Sequence, residues 1–161
     1  MSETVQTPIL SLFILLRKFS KSETEKYSVY IGLMDRIIKR ILICDDNADN
    51  SFLLQAILEA EEREIEIADS GAAVLTKIET DSDSTDLLIL DVMMPEMDGY
   101  EIAQRIRQSD KFQSLPILLV TGISEDYSQN YRDVKVDGLI RKPIDIDLVI
   151  AQVEAILHPS L

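Results

Sequence analysis

Leu87-Leu88-Ile89-Leu90-Asp91-Val92-Met93-Met94-Pro95-Glu96-Met97-Asp98-Gly99 reads as a buried strand and the loop that leaves it. Four aliphatic residues, Leu87 to Leu90, run without a break into an aspartate. A run of that kind fits a strand covered on both faces, as in a parallel sheet flanked by helices. Pro95, Asp98 and Gly99 then force a turn. Asp91 is left at the carboxyl end of the strand, where open α/β sheets place their chemistry.

The same grammar holds on either side. Ile41-Leu42-Ile43-Cys44 is a second buried-type strand, ending in Asp45-Asp46. Asn47 to Asn50 offer helix caps, and Phe52, Leu53, Ala56, Ile57 and Ala60 follow at helical spacing. Glu64 to Ala68 alternates as a strand nearer the sheet edge would. Ser70 caps a helix with Val74, Leu75 and Ile78 inward, and Thr80 to Asp86 is a polar loop. Gly99 opens another helix, with Ile102, Ala103 and Ile106 inward and Arg105, Arg107 and Gln108 outward. Pro116 starts the strand Ile117 to Val120, closed by Thr121-Gly122. A sparse stripe of Tyr127, Tyr131 and Val134 marks a fourth helix around 125–134, holding little core and expected to be loosely anchored. Gly138-Leu139-Ile140 is a short fifth strand before Arg141-Lys142-Pro143, and Asp145 or Asp147 caps a last helix carrying Leu148, Val149, Val153, Ile156 and Leu157. Five strands alternating with five helices predict an α/β fold with a doubly wound parallel sheet in the order 2-1-3-4-5.

Composition bounds what this fold can do. The chain has 161 residues, enough for one domain with a core. Its net charge of −13 argues against binding a nucleic-acid backbone, which needs a basic face. A single cysteine, Cys44, leaves no internal disulfide, and its place within an apolar strand suits a buried thiol in a cytoplasmic setting. Residues 1–37 form an extension ahead of a domain expected over 38–158. Its apolar run, Ile9 to Leu16, is too short to cross a bilayer and precedes its positive charges, unlike a secretory signal. Ile9, Leu12, Phe13 and Leu16 share one helical face, which suits a docking helix; a start at Met34, with the extension untranslated, is the alternative.

Four strands end in polar residues at one edge of the sheet: Asp45-Asp46, Asp91, Thr121 and Lys142. All carboxyl ends of a parallel sheet face one way, so these side chains share a crevice. Three carboxylates about 5 Å apart repel by about 3 kcal/mol per pair at an effective dielectric near 20, or about 10 kcal/mol together. Protons or a cation must offset that. Oxygen-only ligands select a hard dication, with Mg²⁺ the natural occupant, and Mg²⁺ accepts phosphate oxygens readily. Lys142 and the Thr121 hydroxyl supply what a phosphoryl group in transfer needs, with Asp91 as the nucleophile.

In this set of residues the chain resembles the receiver domain of two-component response regulators, of the stand-alone type with a flavodoxin-like fold. The likeness covers roughly Ile38 to Leu157 and rests on Asp45-Asp46, the block Leu90 to Gly99, Thr121-Gly122 and Lys142-Pro143. It implies that Asp91 is the phosphoacceptor, loaded from a phosphohistidine of a sensor histidine kinase or phosphotransfer protein. It implies that Asp46, Asp91 and the backbone carbonyl of Met93 bind Mg²⁺, with Asp45 ligating or holding a metal-bound water. Lys142 would contact the phosphoryl group from a cis Lys142–Pro143 bond, and Thr121 would turn inward to it. The family often carries an aromatic residue three before the lysine, where this chain has Leu139; the signal is then expected to travel through the loop after Thr121 and the fourth helix. Apolar Met93 and Ile123 should hinder an attacking water and prolong the phosphorylated state.

The resulting expectation is a phosphorylation-controlled switch rather than an enzyme, with no output domain or membrane span, signalling by contact with another protein through the fourth helix, fifth strand and fifth helix. A relay receiver that hands the phosphoryl group onward is an alternative, as is a non-phosphorylated module that kept the fold. An aspartyl-phosphate hydrolase ranks last, because Met93 stands where it would want a second acid. His158 reads as a solvated tail residue without acidic or apolar partners.

Overall fold

The computed structural model describes residues 38–60, 62–81, 85–122 and 133–159. Strands β1 (Lys39–Cys44), β2 (Arg63–Ala68), β3 (Leu87–Asp91), β4 (Ile117–Thr121) and β5 (Gly138–Arg141) form one sheet in the order β2-β1-β3-β4-β5, every pair parallel. Helices α1 (Ala48–Leu58), α2 (Gly71–Thr80), α3 (Gly99–Gln108) and α4 (Ile146–Leu157) are the four described helices. This is the doubly wound order expected from the strand pattern. The extension 1–37, most of the helix expected around 125–134, and Ile123 lie outside the described residues.

The unbroken aliphatic runs explain the layering. Every residue of β3 and β4 is buried, because helices cover both faces. On one face Leu42, Cys44, Leu88, Leu90 and Leu119 pack with Val74 and Ile78 of α2 and Ile102, Ala103 and Ile106 of α3. On the other, Ile41, Ile43, Leu87, Ile89 and Val120 pack with Leu54 and Leu58 of α1 and Val149, Val153 and Leu157 of α4. Successive strand residues thus feed opposite layers, as the pleat requires.

Each helix starts at a side-chain cap that the sequence announces. The Asn47 carboxamide oxygen accepts the Asp49 and Asn50 N–H groups, Ser70 accepts that of Ala73, and Asp145 that of Leu148. Asp98 and Glu101 close a reciprocal capping box at α3.

Helix α1 departs from its expected stripe. Its buried residues are Ser51, Leu54 and Leu58, while Phe52 is 70% and Leu53 43% exposed, and Ala60 falls beyond the helix end. The Ser51 hydroxyl donates to the Asp45 carbonyl oxygen at 3.4 Å, turning that side of the helix inward. Leu148 of α4 is likewise exposed, whereas Tyr100 of α3 is buried. His158 is also not without an acidic neighbour: at the carboxyl end of α4 its Nε2 lies 3.8 Å from Glu154, one helical turn back.

Candidate functional site

Register brings the acidic residues level. Cys44 pairs with Leu90, so the residues that follow them, Asp45 and Asp91, leave adjacent strands at one height. Both are only 3% exposed, whereas Asp46 is exposed. One carboxylate oxygen from each of Asp45, Asp46 and Asp91 lies within 4.8 Å of the others.

Lys142 completes the cluster from beyond β5. Its Nζ stands 2.8 Å from Asp91 Oδ1 and 3.7 Å from Asp45 Oδ2. The Lys142 N–H donates to the Thr121 carbonyl oxygen at 2.8 Å, which ties the lysine to the end of β4, and the Lys142–Pro143 peptide is cis as the resemblance implied. Thr121 itself is buried at the strand end.

The electrostatics follow from this crowding. Burial pushes the Asp91 carboxyl above its ordinary pKa, contact with Lys142 draws it back, and the charges of Asp45 and Asp46 push it up again. Burial works against the Lys142 charge, but Asp91 and then Asp45 outweigh it and leave the ammonium more firmly protonated than an ordinary lysine.

The acids are held by the backbone around them. Asp45 Oδ1 accepts the Asn47 N–H at 2.8 Å and the Asn50 amide at 3.4 Å. Asp45 Oδ2 and Asp91 Oδ1 accept no well-aligned hydrogen bond among the described residues, so both face the lysine and the space between the acids. A donor set of three clustered carboxylates, oxygen ligands throughout, suits a hard dication such as Mg²⁺.

Glycine is required at one point beneath the site. A Cβ on Gly99 would lie 2.5 Å from the Asp91 carbonyl oxygen and 3.0 Å from Val92 Cα, both backbone atoms. The Gly99 N–H donates to the Val92 carbonyl oxygen at 3.1 Å, clamping the loop onto the end of β3. Glu96, within that loop, has φ of 64°, the left-handed region that L side chains rarely adopt. The side chain of Met93 is exposed at the rim, and Leu139 packs partly buried against the layer containing Tyr100.

A family model described as the response regulator receiver domain matches residues 41–154. The chain belongs to the response regulator receiver family. Receiver domains are phosphoacceptor switches of two-component systems, served by histidine kinases or phosphotransfer proteins, and they bind Mg²⁺ at an acidic pocket. This receiver is 35% identical over 123 residues to the alkaline phosphatase synthesis transcriptional regulatory protein PhoP of Bacillus subtilis, covering 76% of this chain and 50% of that one. It resembles the crystal structure of a response regulator from Chloroflexus aurantiacus at a TM-score of 0.68 and 28% identity, over 74% of this chain and 98% of that one. The chemotaxis protein CheY4 of Vibrio cholerae aligns at a TM-score of 0.66 and 26% identity, over 74% of this chain and 99% of that one. The receiver spans about half or less of the length of the curated relatives it matches. No helix among its described residues is long and apolar enough to cross a membrane.

The structure therefore brings together Asp45, Asp46, Asp91 and Lys142, with Thr121 at the adjoining strand end. Sequence reasoning missed Asn47, Asn50 and Ser51 as supports of Asp45, although capping residues placed directly after a strand-end acid are the signal for them.

Proposed function

We propose that Asp91 accepts a phosphoryl group from a phosphohistidine of a sensor kinase or phosphotransfer protein. The receiver, over residues 38–158, would then signal by binding another protein. What carries this reading is a nearly buried carboxylate with Lys142 Nζ at 2.8 Å and two further carboxylates within 4.8 Å. In the transfer the donor's P–N bond breaks, a P–O bond forms to an Asp91 carboxylate oxygen, and the electron pair leaves with the imidazole nitrogen. Asp91 needs no base, because the carboxylate is already a nucleophile.

Asp45, Asp46 and Asp91, with the Met93 carbonyl, would hold Mg²⁺. When bound, the dication supplies charge neutralisation for the phosphoryl oxygens and for the acids themselves. Lys142, already beside Asp91, swings its ammonium over a short arc to a phosphoryl oxygen. Thr121 offers its hydroxyl from the end of β4, and its carbonyl holds the Lys142 backbone in place. The exposed Met93 side chain shields one approach of water to the acyl phosphate.

Incubation with Mg²⁺ and acetyl phosphate, read by intact mass, tests the assignment. A gain of one phosphoryl group that disappears in Asp91→Asn supports it; no gain in the wild-type chain, or an unchanged gain in the variant, overturns it.

A further inference from the structure

Lys142 reaches Asp91 across an intervening strand. The strand that ends just before it, β5, is four residues long and lies at the sheet edge, paired with β4; β3, which carries Asp91, lies beyond. The place of the ammonium is therefore set by the register of β5 against β4. Backbone bonds alone choose that register poorly, because the pattern of a parallel ladder repeats along the strands. Burial adds little, since Ile140 is the one buried residue within β5 and Arg141 is exposed.

Side chains at the opposite, amino edge of the sheet make the choice. Arg107, in the last turn of α3, donates from all three guanidinium nitrogens: Nε to the Lys135 carbonyl oxygen at 2.8 Å, Nη1 to that of Leu115 at 2.7 Å, and Nη2 to Asp137 Oδ2 at 3.0 Å. Asp137 Oδ2 also accepts the Ile117 N–H at 2.8 Å, and the Asp137 N–H donates to the Ile117 carbonyl oxygen at 2.8 Å. Lys135 and Asp137 lead into β5, whereas Leu115 and Ile117 lead into β4. The planar fork thus measures one strand start against the other, and a slip of β5 would break it. At 17% exposure the Arg107 side chain is shielded enough for these charge-assisted bonds to hold. The same ladder closes at the far end, where the Lys142 N–H meets the Thr121 carbonyl oxygen at 2.8 Å.

We propose that Arg107, acting through Asp137, is a positioning residue for Lys142: it fixes the register of β5 from the amino edge and so holds the ammonium beside Asp91 for phosphoryl transfer. Its role in the transfer rests on Asp91 being the phosphoacceptor. Asp45, Asp46 and Asp91 leave β1 and β3, outside the latch, so the latch serves the lysine and not the metal site.

Arg107→Met in the full chain, which keeps an unbranched apolar stem but none of the donors, tests it, with Asp137→Asn as the second variant should the first not fold. At a temperature where circular dichroism shows the variant folded, phosphoryl gain from acetyl phosphate at saturating Mg²⁺ should slow about tenfold, as for a reacting group slightly misplaced from afar. Mg²⁺ affinity should be unchanged. Adding Arg107→Met to Lys142→Met should slow the transfer no further. A wild-type rate in Arg107→Met, or equal slowing with and without Lys142, overturns the proposal. Hydrogen exchange reads the register without phosphorylation: the Lys142 amide should exchange about tenfold faster in the variant, with the amides of β1 and β3 unchanged. Unchanged exchange at Lys142, or faster exchange throughout the sheet, overturns the proposal. The expected exchange pattern in a chain that takes up no phosphoryl group would uphold the latch and overturn the Asp91 reading.

Discussion

The ammonium of Lys142 lies 2.8 Å from Oδ1 of Asp91, although the two residues leave strands that are not neighbours in the sheet. Asp45 Oδ2 is 3.7 Å from the same nitrogen, so one partly exposed cation serves two nearly buried carboxylates. Lys142→Met should lower stability in EDTA by about 1–3 kcal/mol, below the range for a fully buried pair because water screens the lysine. Asp91 should then lie still further above its ordinary pKa. A carboxyl whose folded pKa is raised binds more protons folded than unfolded, so stability falls as pH climbs from the unfolded value through the folded one. Urea titrations from pH 4 to 7 should show that fall to be steeper in the variant than in wild type. Equal slopes would mean that the lysine does not control the carboxyl.

Mg²⁺ should reverse part of that instability. Occupancy at ten times the dissociation constant adds about 1.4 kcal/mol. Asp46 is exposed and its charge repels buried Asp91, so Asp46→Asn should not lower the metal-free melting temperature while removing most of the Mg²⁺ response. Because protons compete for the raised Asp91 carboxyl, the apparent Mg²⁺ affinity should increase with pH across the same acid range. Melting curves with and without Mg²⁺ at several pH values check both statements. A full response retained by Asp46→Asn would remove that residue from the metal site.

Much of this arrangement was legible before any coordinates. Aliphatic runs closing on Asp45, Asp91 and Thr121 announce parallel strands whose carboxyl ends meet, and Asn47, Ser70 and Asp98 announce the helices that follow. What periodicity could not choose was the buried face of α1. Phe52, Leu53, Leu54, Ala56, Ile57 and Leu58 put apolar groups on every side, so the Ser51 hydroxyl bond to Asp45 settles the rotation. The inward stripe of Ile102, Ala103 and Ile106 does not announce Tyr100, which packing also places inside. The need for glycine at 99 arises from a close backbone approach, which no linear pattern records.

Gly99→Ala tests that approach. Its Cβ would meet the Asp91 carbonyl oxygen at 2.5 Å, and no flexible side chain can yield there. The loop must move away from β3, losing the 3.1 Å bond from the Gly99 N–H to the Val92 carbonyl oxygen. A loss of about 2 kcal/mol or more is expected from the displaced backbone. Acceptance of phosphoryl from acetyl phosphate should slow as well, although every side chain of the site is intact. Stability and phosphorylation both at wild-type levels would show that the loop yields freely.

Cys44 gives a prediction at the other end of the pH scale. Burial first, then the charges of Asp45, Asp69, Asp91 and Asp46, push its thiol up to about 12 from 9.0. Its Sγ rests 3.5 Å from Met94 Sδ in the layer beneath the acids, whose charges disfavour the thiolate. The native thiol should therefore resist a disulfide reagent at pH 8 and react fully once urea unfolds the chain. The sign for stability follows from the same shift. Between 9.0 and about 12 the folded state keeps a proton that the unfolded state releases, so stability drops by up to about 1.4 kcal/mol for each pH unit. Lysines and tyrosines titrate in that range too, which is why the comparison is with Cys44→Ala: the variant should be less stable at pH 8 because of the cavity, yet its stability should fall less steeply from pH 9 to 10.5. Parallel curves for the two proteins would mean that the thiol reaches solvent, and with it that the floor of the acidic crevice is open to water.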